Sequence, residues 1–251
     1  MSSLSVILIT LNEEENIKSC LQSVQWADEI VVVDSHSKDK TAEIARQFTE
    51  KVIVIDWMGY SANKNLALEN ATGEWVLWID ADERVTPELA REIKKVIGTN
   101  TEKDGFEIAR KAFFLGRWIK HCGWYPGYVL RLFRRQKAHF SENKVHEGVV
   151  LKGNRGRLKG SLVHYTDNNL EHYLWKFNRY TSYAADELAE KQRSAGLLSI
   201  LFRPLHAFVK MYVLKLGILD GVEGLMLCLL SSGYVAMKYA KLWELKNTGS
   251  G

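Results

Sequence analysis

Short runs of β-branched residues alternate with segments of helical periodicity along the first hundred residues. Strands are predicted at 5–10, 30–34, 52–56 and 74–79, and helices follow around apolar positions 17, 21 and 24, at 39–51 and at 61–71. Thr86 and Pro87 predict the N-cap and first turn of another helix, PELAREIKKVI. This alternation predicts an α/β fold with a mostly parallel sheet and helices on both faces, whose ligands bind at the carboxyl ends of the strands.

The second half of the chain changes from strands to helices. Strands are predicted at 105–110, 128–135 and 161–166, and helical blocks at 170–193 and 197–245. We therefore expect an α/β domain over residues 1–167 and a C-terminal helical region over 168–246. The last residues, 247–251, are typical of a tail added for expression.

Composition narrows the class of protein. The chain is 46% hydrophobic and 25% charged, which indicates a globular fold. Its three cysteines are widely spaced and form no CxxC pair, so reduced thiols in a cytoplasmic compartment are expected. The N-terminal apolar stretch, about five residues, is too short for a signal peptide.

The charge is unevenly distributed along the chain. The net charge is +4, but residues 110–215 form a strongly basic section. This section favours an anionic partner or, alternatively, a solvated basic face.

Acidic residues follow three of the predicted strands. Asp80 and Asp82 end the apolar run WVLWI, Asn12 and Glu13 follow the first strand, and Asp34 follows the second. Residues two apart on a strand point to one side, and paired carboxylates repel unless a cation lies between them. Hard carboxylate oxygens suit Mg²⁺ or Mn²⁺ bridging to phosphates, although a polar turn is the simpler alternative for a lone DxD. Glycine-rich dinucleotide and P-loop motifs are missing, so neither NAD nor P-loop chemistry is indicated.

Four segments in register carry a family resemblance. SVILITLNEEENI, IVVVDSHSKDKT, SANKNLAL and ATGEWVLWIDADE resemble the GT-A-fold glycosyltransferases of family 2. RLFRR, VHEGV, LVHYT and LKLGILDGVEG further resemble the branch of heptose β-1,4-glucosyltransferases that build the lipopolysaccharide core. The resemblance implies a GT-A fold, a Rossmann-like and mostly parallel sheet flanked by helices, with a C-terminal helical extension.

The resemblance also implies roles for individual residues. Asp82 corresponds to the metal ligand for Mg²⁺ or Mn²⁺, with His164 as a second ligand, although an isolated histidine in a strand is more often structural. Glu147 occupies the place of the catalytic base, with an ordinary surface acid as the alternative. The residues expected to bind the nucleotide sugar are Thr10, Leu11, Asn12, Glu13, Asp34, Lys64, Asn65 and Asp80. Lys64 stands where the family usually has arginine, so it keeps the charge and loses the planar fork.

Aromatic and basic residues between the DxD and Glu147 suit an acceptor. Trp124 and Tyr125 could stack on a sugar, and Arg131 and Arg134 could meet phosphates. The alternative places the aromatic residues in the core and the arginines on a solvated strand face.

The C-terminal block suggests a membrane surface. Residues 224–237 carry no charge, fall short of the roughly 20 needed to span a bilayer, and are flanked by lysines and aromatic residues. This pattern favours helices that lie on an anionic membrane surface. Packing on a second subunit or on the catalytic domain would give the same pattern, so a homo-oligomer stays open.

Together these features predict an inverting, metal-dependent hexosyltransferase. The resemblance implies a UDP-sugar donor, with UDP-glucose favoured, and a lipopolysaccharide core or other lipid-linked saccharide acceptor. The enzyme would be cytoplasmic and peripheral on the inner face of the cytoplasmic membrane. A sugar-nucleotidyltransferase is the alternative enzyme, but the loop TLNEEENI lacks the glycines such enzymes carry. A noncatalytic membrane adaptor would not need the full set of acids, and no clear nucleic-acid-binding motif is present.

Overall fold

The computed structural model describes residues 2–141, 148–167 and 169–248, except for the side chains of Asp167 and His172. The chain forms two compact units. The first comprises Met1–Arg110 and Gly127–His164, and the second comprises Lys111–Pro126 and Tyr165–Gly251. The predicted helical region therefore lies in the second unit, together with a segment before Pro126 that the sequence did not associate with it.

Strands and helices alternate in the first hundred residues, as predicted. The elements are β1 (Leu4–Thr10), α1 (Glu14–Val24), β2 (Glu29–Asp34), α2 (Thr41–Ala45), β3 (Val52–Val54), α3 (Tyr60–Glu69), β4 (Trp75–Trp78), β5 (Glu83–Val85) and α4 (Pro87–Ile97). The predicted cap of α4 is confirmed, because the Thr86 hydroxyl accepts a hydrogen bond from the Leu89 amide at 3.2 Å.

The remaining strands precede three long helices. They are β6 (Gly105–Phe114), β7 (Arg117–Trp118), β8 (Gly127–Arg134), β9 (Ala138–Phe140), β10 (Val149–Leu151), β11 (Arg155–Asp167), α5 (Leu170–Glu190), α6 (Leu197–Val209) and α7 (Gly221–Asn247). A π-helical turn (Lys210–Leu214) and a 3-10 turn (Gly217–Asp220) join α6 to α7.

The main sheet is parallel on one side and antiparallel on the other. Its strand order is β3-β2-β1-β4-β8-β6-β11-β5, with β7 paired to β6, and β9 and β10 form a separate hairpin. The pairs β1–β2, β1–β4 and β2–β3 are parallel, whereas β4–β8, β6–β8 and β5–β11 are antiparallel. The parallel half carries the ends of β1, β2 and β4 to one edge, and the predicted α/β class is confirmed.

Hydrophobic side chains fill both faces of this sheet. Alternate residues of β1 point to opposite faces, so Val6 and Leu8 pack with α1 and α4 while Ile7 packs with α3 and β9. Burial on both faces explains why the central strands are continuous apolar runs.

The helix predicted at 39–51 is wrong in its length, because α2 covers only Thr41–Ala45. The Thr49 hydroxyl donates to the Ile30 carbonyl oxygen at 2.7 Å, and the Lys51 carbonyl oxygen accepts from the Val32 amide. These bonds draw the chain onto β2 and end the helix early.

The second unit contains a helical hairpin. A Cβ at Gly224 would lie 2.3 Å from the Gly217 carbonyl oxygen, so the turn between the helices touches α7 through backbone. Two stretches, Leu197–Leu214 and Gly217–Asn247, are long and apolar enough to cross a membrane, each with a mean hydropathy of 1.4. Length and composition alone are weak evidence for a membrane span, since a helix in the core of a soluble protein can meet the same test.

Candidate active site

The loops after β1 and β2 are hydrogen-bonded to each other. The Asn12 amide donates to Ser37 Oγ at 2.8 Å, and Asn12 Oδ1 accepts from the Lys38 amide at 2.8 Å. The Glu13 amide donates to Thr41 Oγ1 at 2.7 Å. Asn12 adopts φ 55°, a left-handed conformation that asparagine tolerates better than most residues. The predicted nucleotide loop therefore has a fixed backbone, with the Leu11 side chain exposed and Thr10 buried.

The two acids of the second loop bond to their own loop. Both carboxylate oxygens of Asp34 accept from Ser37, one from its amide at 2.9 Å and one from its hydroxyl at 2.5 Å. Asp39 accepts from the amide and hydroxyl of Thr41, which explains why the pKa of Asp39 is lowered despite its partial burial. Asp34 is buried, so contact with a nucleotide stays a prediction for this residue.

A buried arginine joins two acids at the end of β4. Arg131 Nη2 lies 2.8 Å from Asp80 Oδ2 and 2.6 Å from Glu83 Oε1. The guanidinium also lies 3.6 Å from the centroid of the Trp78 ring, and Glu83 Oε2 accepts from the Asp80 amide at 3.0 Å. These bonds fix both the side chain and the backbone of Asp80.

This cluster shifts the pKa values of Asp80 and Glu83 in different directions. Burial opposes ionisation of Asp80, but the charges of Arg131 and Lys64 outweigh it and lower the pKa of Asp80 to about 2. Glu83 is fully buried, so the same burial raises its pKa in spite of Arg131, and the Asp80 charge raises it further. The pKa values of the two acids are therefore shifted in opposite directions by the same buried cluster.

Asp82 faces a histidine from a distant strand. The β5–β11 pairing sets His164 beside Glu83 in register, which brings His164 Nε2 to 3.2 Å from Asp82 Oδ2. Burial lowers the pKa of His164, but the hydrogen bond and charge of Asp82 outweigh it and give a net rise. The second oxygen, Asp82 Oδ1, is buried and has no hydrogen-bond partner.

The residues around Asp82 fit a divalent cation. A buried carboxylate oxygen without a partner is costly in a folded protein, and an ion ligated there would satisfy it. Mg²⁺ is commonly held by one or two carboxylates plus substrate phosphates, so a site with few protein ligands is normal. Within 2–141, 148–167 and 169–248, no group of three or more metal-ligating side chains occurs. Asp82 and His164 are two potential ligands that lie together at this edge of the sheet.

Lys64 and Asn65 have partners within the first unit. The Lys64 ammonium lies 4.5 Å from the centroid of the Trp78 ring, next to the cluster around Asp80. The Asn65 side chain instead bonds to both backbone groups of Phe140, at 2.9 and 3.0 Å, and so joins α3 to β9. The Asn65 amide thus holds β9 in place, and its contact with a nucleotide sugar stays a prediction.

Arg131, which was predicted to contact acceptor phosphates, is buried among its own ion pairs. Its side chain is 1% exposed and is held by Asp80 and Glu83, so it does not present a guanidinium to solvent. Arg134 forms ion pairs with Glu74 and Asp104. In the second unit, Trp124 packs edge-on against Phe114 and Tyr125 against Trp118. The candidate base Glu147 lies outside the described residues.

Sequence reasoning missed Glu83 and the support that Arg131 gives to Asp80. Glu83 lies fully buried in β5 and pairs with Arg131. The signal that could have found it is the apolar surroundings of the arginine in GYVLRLFR, since a charged residue inside a buried strand needs an opposite charge nearby.

Comparison with known proteins identifies the family. The model described as Glycosyl transferase family 2 matches residues 5–146, more than half of the chain. The chain therefore belongs to glycosyl transferase family 2.

Individual relatives agree with this assignment. The lipopolysaccharide core biosynthesis glycosyltransferase LpsC of Rhizobium meliloti is 30% identical over 253 residues, covering 96% of this chain and 92% of the relative. An uncharacterized glycosyltransferase of Rickettsia typhi is 28% identical over 257 residues, covering 98% of this chain and 88% of the relative. Among solved structures, S. aureus TarS in complex with UDP has a TM-score of 0.50 at 19% identity, covering 99% of this chain and 92% of that chain. The fold is GT-A-like, as predicted.

Proposed function

We propose that this glycosyltransferase transfers a hexose, with inversion, from a UDP-sugar to a lipid-linked saccharide of the lipopolysaccharide core type. The name of the R. meliloti relative supports the acceptor class, because that relative matches nearly the whole chain. The UDP bound to TarS agrees with the donor that the sequence motifs imply, and UDP-glucose remains the favoured choice.

The observation that carries the proposal is the unsatisfied oxygen of Asp82 at the end of the parallel strands. Asp82 Oδ1 has no hydrogen-bond partner, while Oδ2 faces His164 at 3.2 Å. This edge is where α/β sheets bind their ligands, and the loops after β1 and β2 lie at the same edge. Asp82 and His164 would hold Mg²⁺ or Mn²⁺. When bound, the cation neutralises the diphosphate that leaves with the nucleotide.

The protein residues then have separate tasks. Asp80 is held ionised by Arg131 and can accept hydrogen bonds from a ribose hydroxyl. Lys64, next to Asp80, offers a positive charge to the departing diphosphate. Glu147 takes the proton from the attacking acceptor hydroxyl, on the side of the sugar opposite the nucleotide. Because the nucleophile and the leaving group lie on opposite faces, a single displacement inverts the anomeric carbon.

A lipid-linked acceptor also sets the location of the enzyme. Nucleotide sugars are cytoplasmic substrates, so transfer to a lipid-linked saccharide would occur at the inner face of the cytoplasmic membrane. The three described cysteines are buried and unpaired, which agrees with a reducing compartment.

The test compares three variants in a UDP-sugar transfer and hydrolysis assay with Mg²⁺ or Mn²⁺. Asp82→Asn should lower the rate roughly 100-fold or more and weaken Mn²⁺ binding followed by electron paramagnetic resonance. Glu147→Gln should abolish transfer while Mn²⁺ and UDP still bind. Glu88→Gln, an exposed acid on α4, is the matched control and should keep full activity. Wild-type Mn²⁺ affinity in Asp82→Asn would refute the metal assignment, and normal transfer by Glu147→Gln would refute the base.

A further inference from the structure

Helix α6 exposes a continuous row of leucines. Leu198, Leu201 and Leu205 are 70%, 56% and 58% exposed, and they recur at intervals of three and four residues, so they share one side of the helix. The exposed apolar surface continues through the turns that follow α6. Its members, here called the α6 face, are Leu197, Leu198, Leu201, Phe202, Leu205, Val209, Val213, Leu214, Leu216, Ile218, Leu219 and Val222. A soluble monomer rarely exposes so many large apolar side chains together.

This face differs from the apolar run that the sequence favoured for a membrane surface. Residues 224–237 lie in α7, where Leu227 and Cys228 are fully buried in a cluster with Phe114 and Ile119. Within 224–237 only Leu229 and Met237 are exposed, and 22% of the apolar window within 217–247 is buried, against 6% of the 197–214 stretch. The exposed apolar surface is therefore larger on α6 than on this run of α7.

Every exposed charge within 197–222 is basic. Arg203, Lys210 and Lys215 are exposed, and His206 is the other ionisable group of α6. The one acid of this stretch, Asp220, is 2% exposed and bonds to the backbone amides of Lys120 and His121 and to the His121 ring. Glu223, directly after the stretch, pairs with Arg117. A leucine-rich face bordered only by cations is complementary to an apolar layer covered by anionic headgroups.

We propose that the α6 face binds the surface of an anionic lipid bilayer, with α6 lying in the plane of the interface. The Arg203 guanidinium lies 4.9 Å from the centroid of the Tyr239 ring of α7. Leucines of α6 enter the boundary between headgroups and acyl chains, and Lys210 and Lys215 contact lipid phosphates. The long lysine side chains can reach headgroups while the neighbouring leucines insert.

An in-plane orientation fits the length of the helix better than a span does. α6 has 13 residues, about 20 Å at 1.5 Å per residue, which is shorter than the roughly 30 Å hydrocarbon core. Extending it to Leu214 would place Arg203 and Lys210 inside the bilayer, where unpaired cations are costly. The chain then reverses at Leu216, which has φ 55°.

This proposal rests on the proposed function only for the lipid anchor of the acceptor. Its test contains no sugar, nucleotide or metal, so loss of transfer activity and loss of membrane binding are seen separately.

The experiment measures co-sedimentation of the full chain with vesicles of phosphatidylcholine alone and with vesicles in which part of it is replaced by phosphatidylglycerol. The apolar variant is Leu201→Gln with Leu205→Gln, and its matched control is Leu170→Gln with Leu174→Gln on α5, where both leucines are also exposed. The basic variant is Lys210→Gln with Lys215→Gln. Its control removes two exposed lysines of the first unit, Lys95→Gln with Lys103→Gln. Circular dichroism confirms that each variant is folded.

We expect wild type to bind the anionic vesicles more tightly, with the difference shrinking as salt rises. The apolar variant should bind at least about tenfold more weakly. The basic variant should bind anionic vesicles about 30-fold more weakly and neutral vesicles unchanged. Both controls should match wild type.

Three results would overturn the proposal. Binding that is indifferent to lipid charge and to the variants would exclude the α6 face. Sedimentation equilibrium without lipid that shows a dimer, dissociated by the apolar variant, would assign the face to a second copy of the chain. Membrane-bound protein that resists alkaline carbonate and yields only to detergent would indicate a helix that spans the bilayer.

Discussion

Each of the two units departs from the usual rule that charged side chains are exposed and apolar side chains are buried. The first unit buries charge at the end of β4, where Arg131 and Glu83 are almost completely inaccessible. The second unit exposes leucines along α6, and Asp220, the one acid within residues 197–222, is buried. Buried charge and exposed leucine are each unfavourable without a partner. In the first unit the partners are present as ion pairs, whereas in the second unit the partner is the surface that α6 would bind.

The largest effect is expected where buried charge loses its partner. Arg131→Met would leave Asp80 and Glu83 without their cation, so it should lower the free energy of unfolding by about 3–5 kcal/mol in urea titrations. Adding Glu83→Gln to Arg131→Met should restore part of the loss, because it removes one unpaired acid. Arg134→Met, which breaks a more exposed pair with Glu74, should cost no more than about 1 kcal/mol. Equal costs at the two arginines would show that burial does not strengthen the pair.

The next largest loss of stability is expected from truncating a buried leucine in the core of the second unit. Leu227 is fully buried in α7, so Leu227→Ala should lower the free energy of unfolding by about 3 kcal/mol through lost burial and a cavity. Leu229, two residues further along and 54% exposed, is the matched control, and Leu229→Ala should cost less than about 1 kcal/mol. Similar losses at both positions would mean that α7 is covered on both sides.

A smaller effect concerns the acid at the start of β2. Burial opposes ionisation of Glu29, but hydrogen bonds from Lys51, Ser5 and Thr72 outweigh it and lower its pKa to about 2. Because the pKa of Glu29 is lower in the folded state than its ordinary value of 4.5, ionisation of Glu29 stabilises the fold at pH values above 4.5. This contribution is lost as the pH falls from 4.5 towards 2. Glu29→Gln should therefore cost roughly 2 kcal/mol at neutral pH and flatten the decline in stability below pH 4.5.

The control for this measurement is Glu88→Gln, whose exposed side chain should leave both the neutral stability and the acid dependence unchanged. An acid profile of Glu29→Gln that declines as steeply as wild type would contradict the assignment.

The smallest effect is expected on the α6 face. Leu198→Gln and Leu205→Gln should each change the free energy of unfolding by less than about 0.5 kcal/mol in the absence of lipid, because these side chains already face water. Thermal unfolding followed by circular dichroism is sufficient to measure this. A loss comparable to that of Leu227→Ala would show that another part of the protein covers α6.

Local sequence predicts the elements well and their long-range contacts poorly. The helix predicted from Thr86 and Pro87 appears with its predicted bounds because its cap and its apolar spacing are local. The approach of His164 to Asp82 depends on the register of β5 with β11, about eighty residues away in sequence, and only the family resemblance pointed to it. The burial of Glu83 has a similar long-range cause, since its carboxylate is paired with Arg131 from β8.

The same limit applies to the two apolar helices of the second unit. Both apolar stretches have a mean hydropathy of 1.4, and the longer run without charge lies in α7. Which helix covers the other depends on contacts with Phe114 and Ile119, in a segment about a hundred residues earlier. Tertiary contacts of this kind are not written in the periodicity of either helix.

The bonds between the loops after β1 and β2 have a consequence for affinity. Asn12, Glu13, Ser37 and Thr41 already hold one another through backbone and side-chain hydrogen bonds. A nucleotide arriving at these loops would find them ordered, so little conformational entropy would be lost on binding. Thr41→Val would remove one of these links, and its effect should appear as an unfavourable entropy of UDP binding in calorimetry, with the binding enthalpy nearly unchanged.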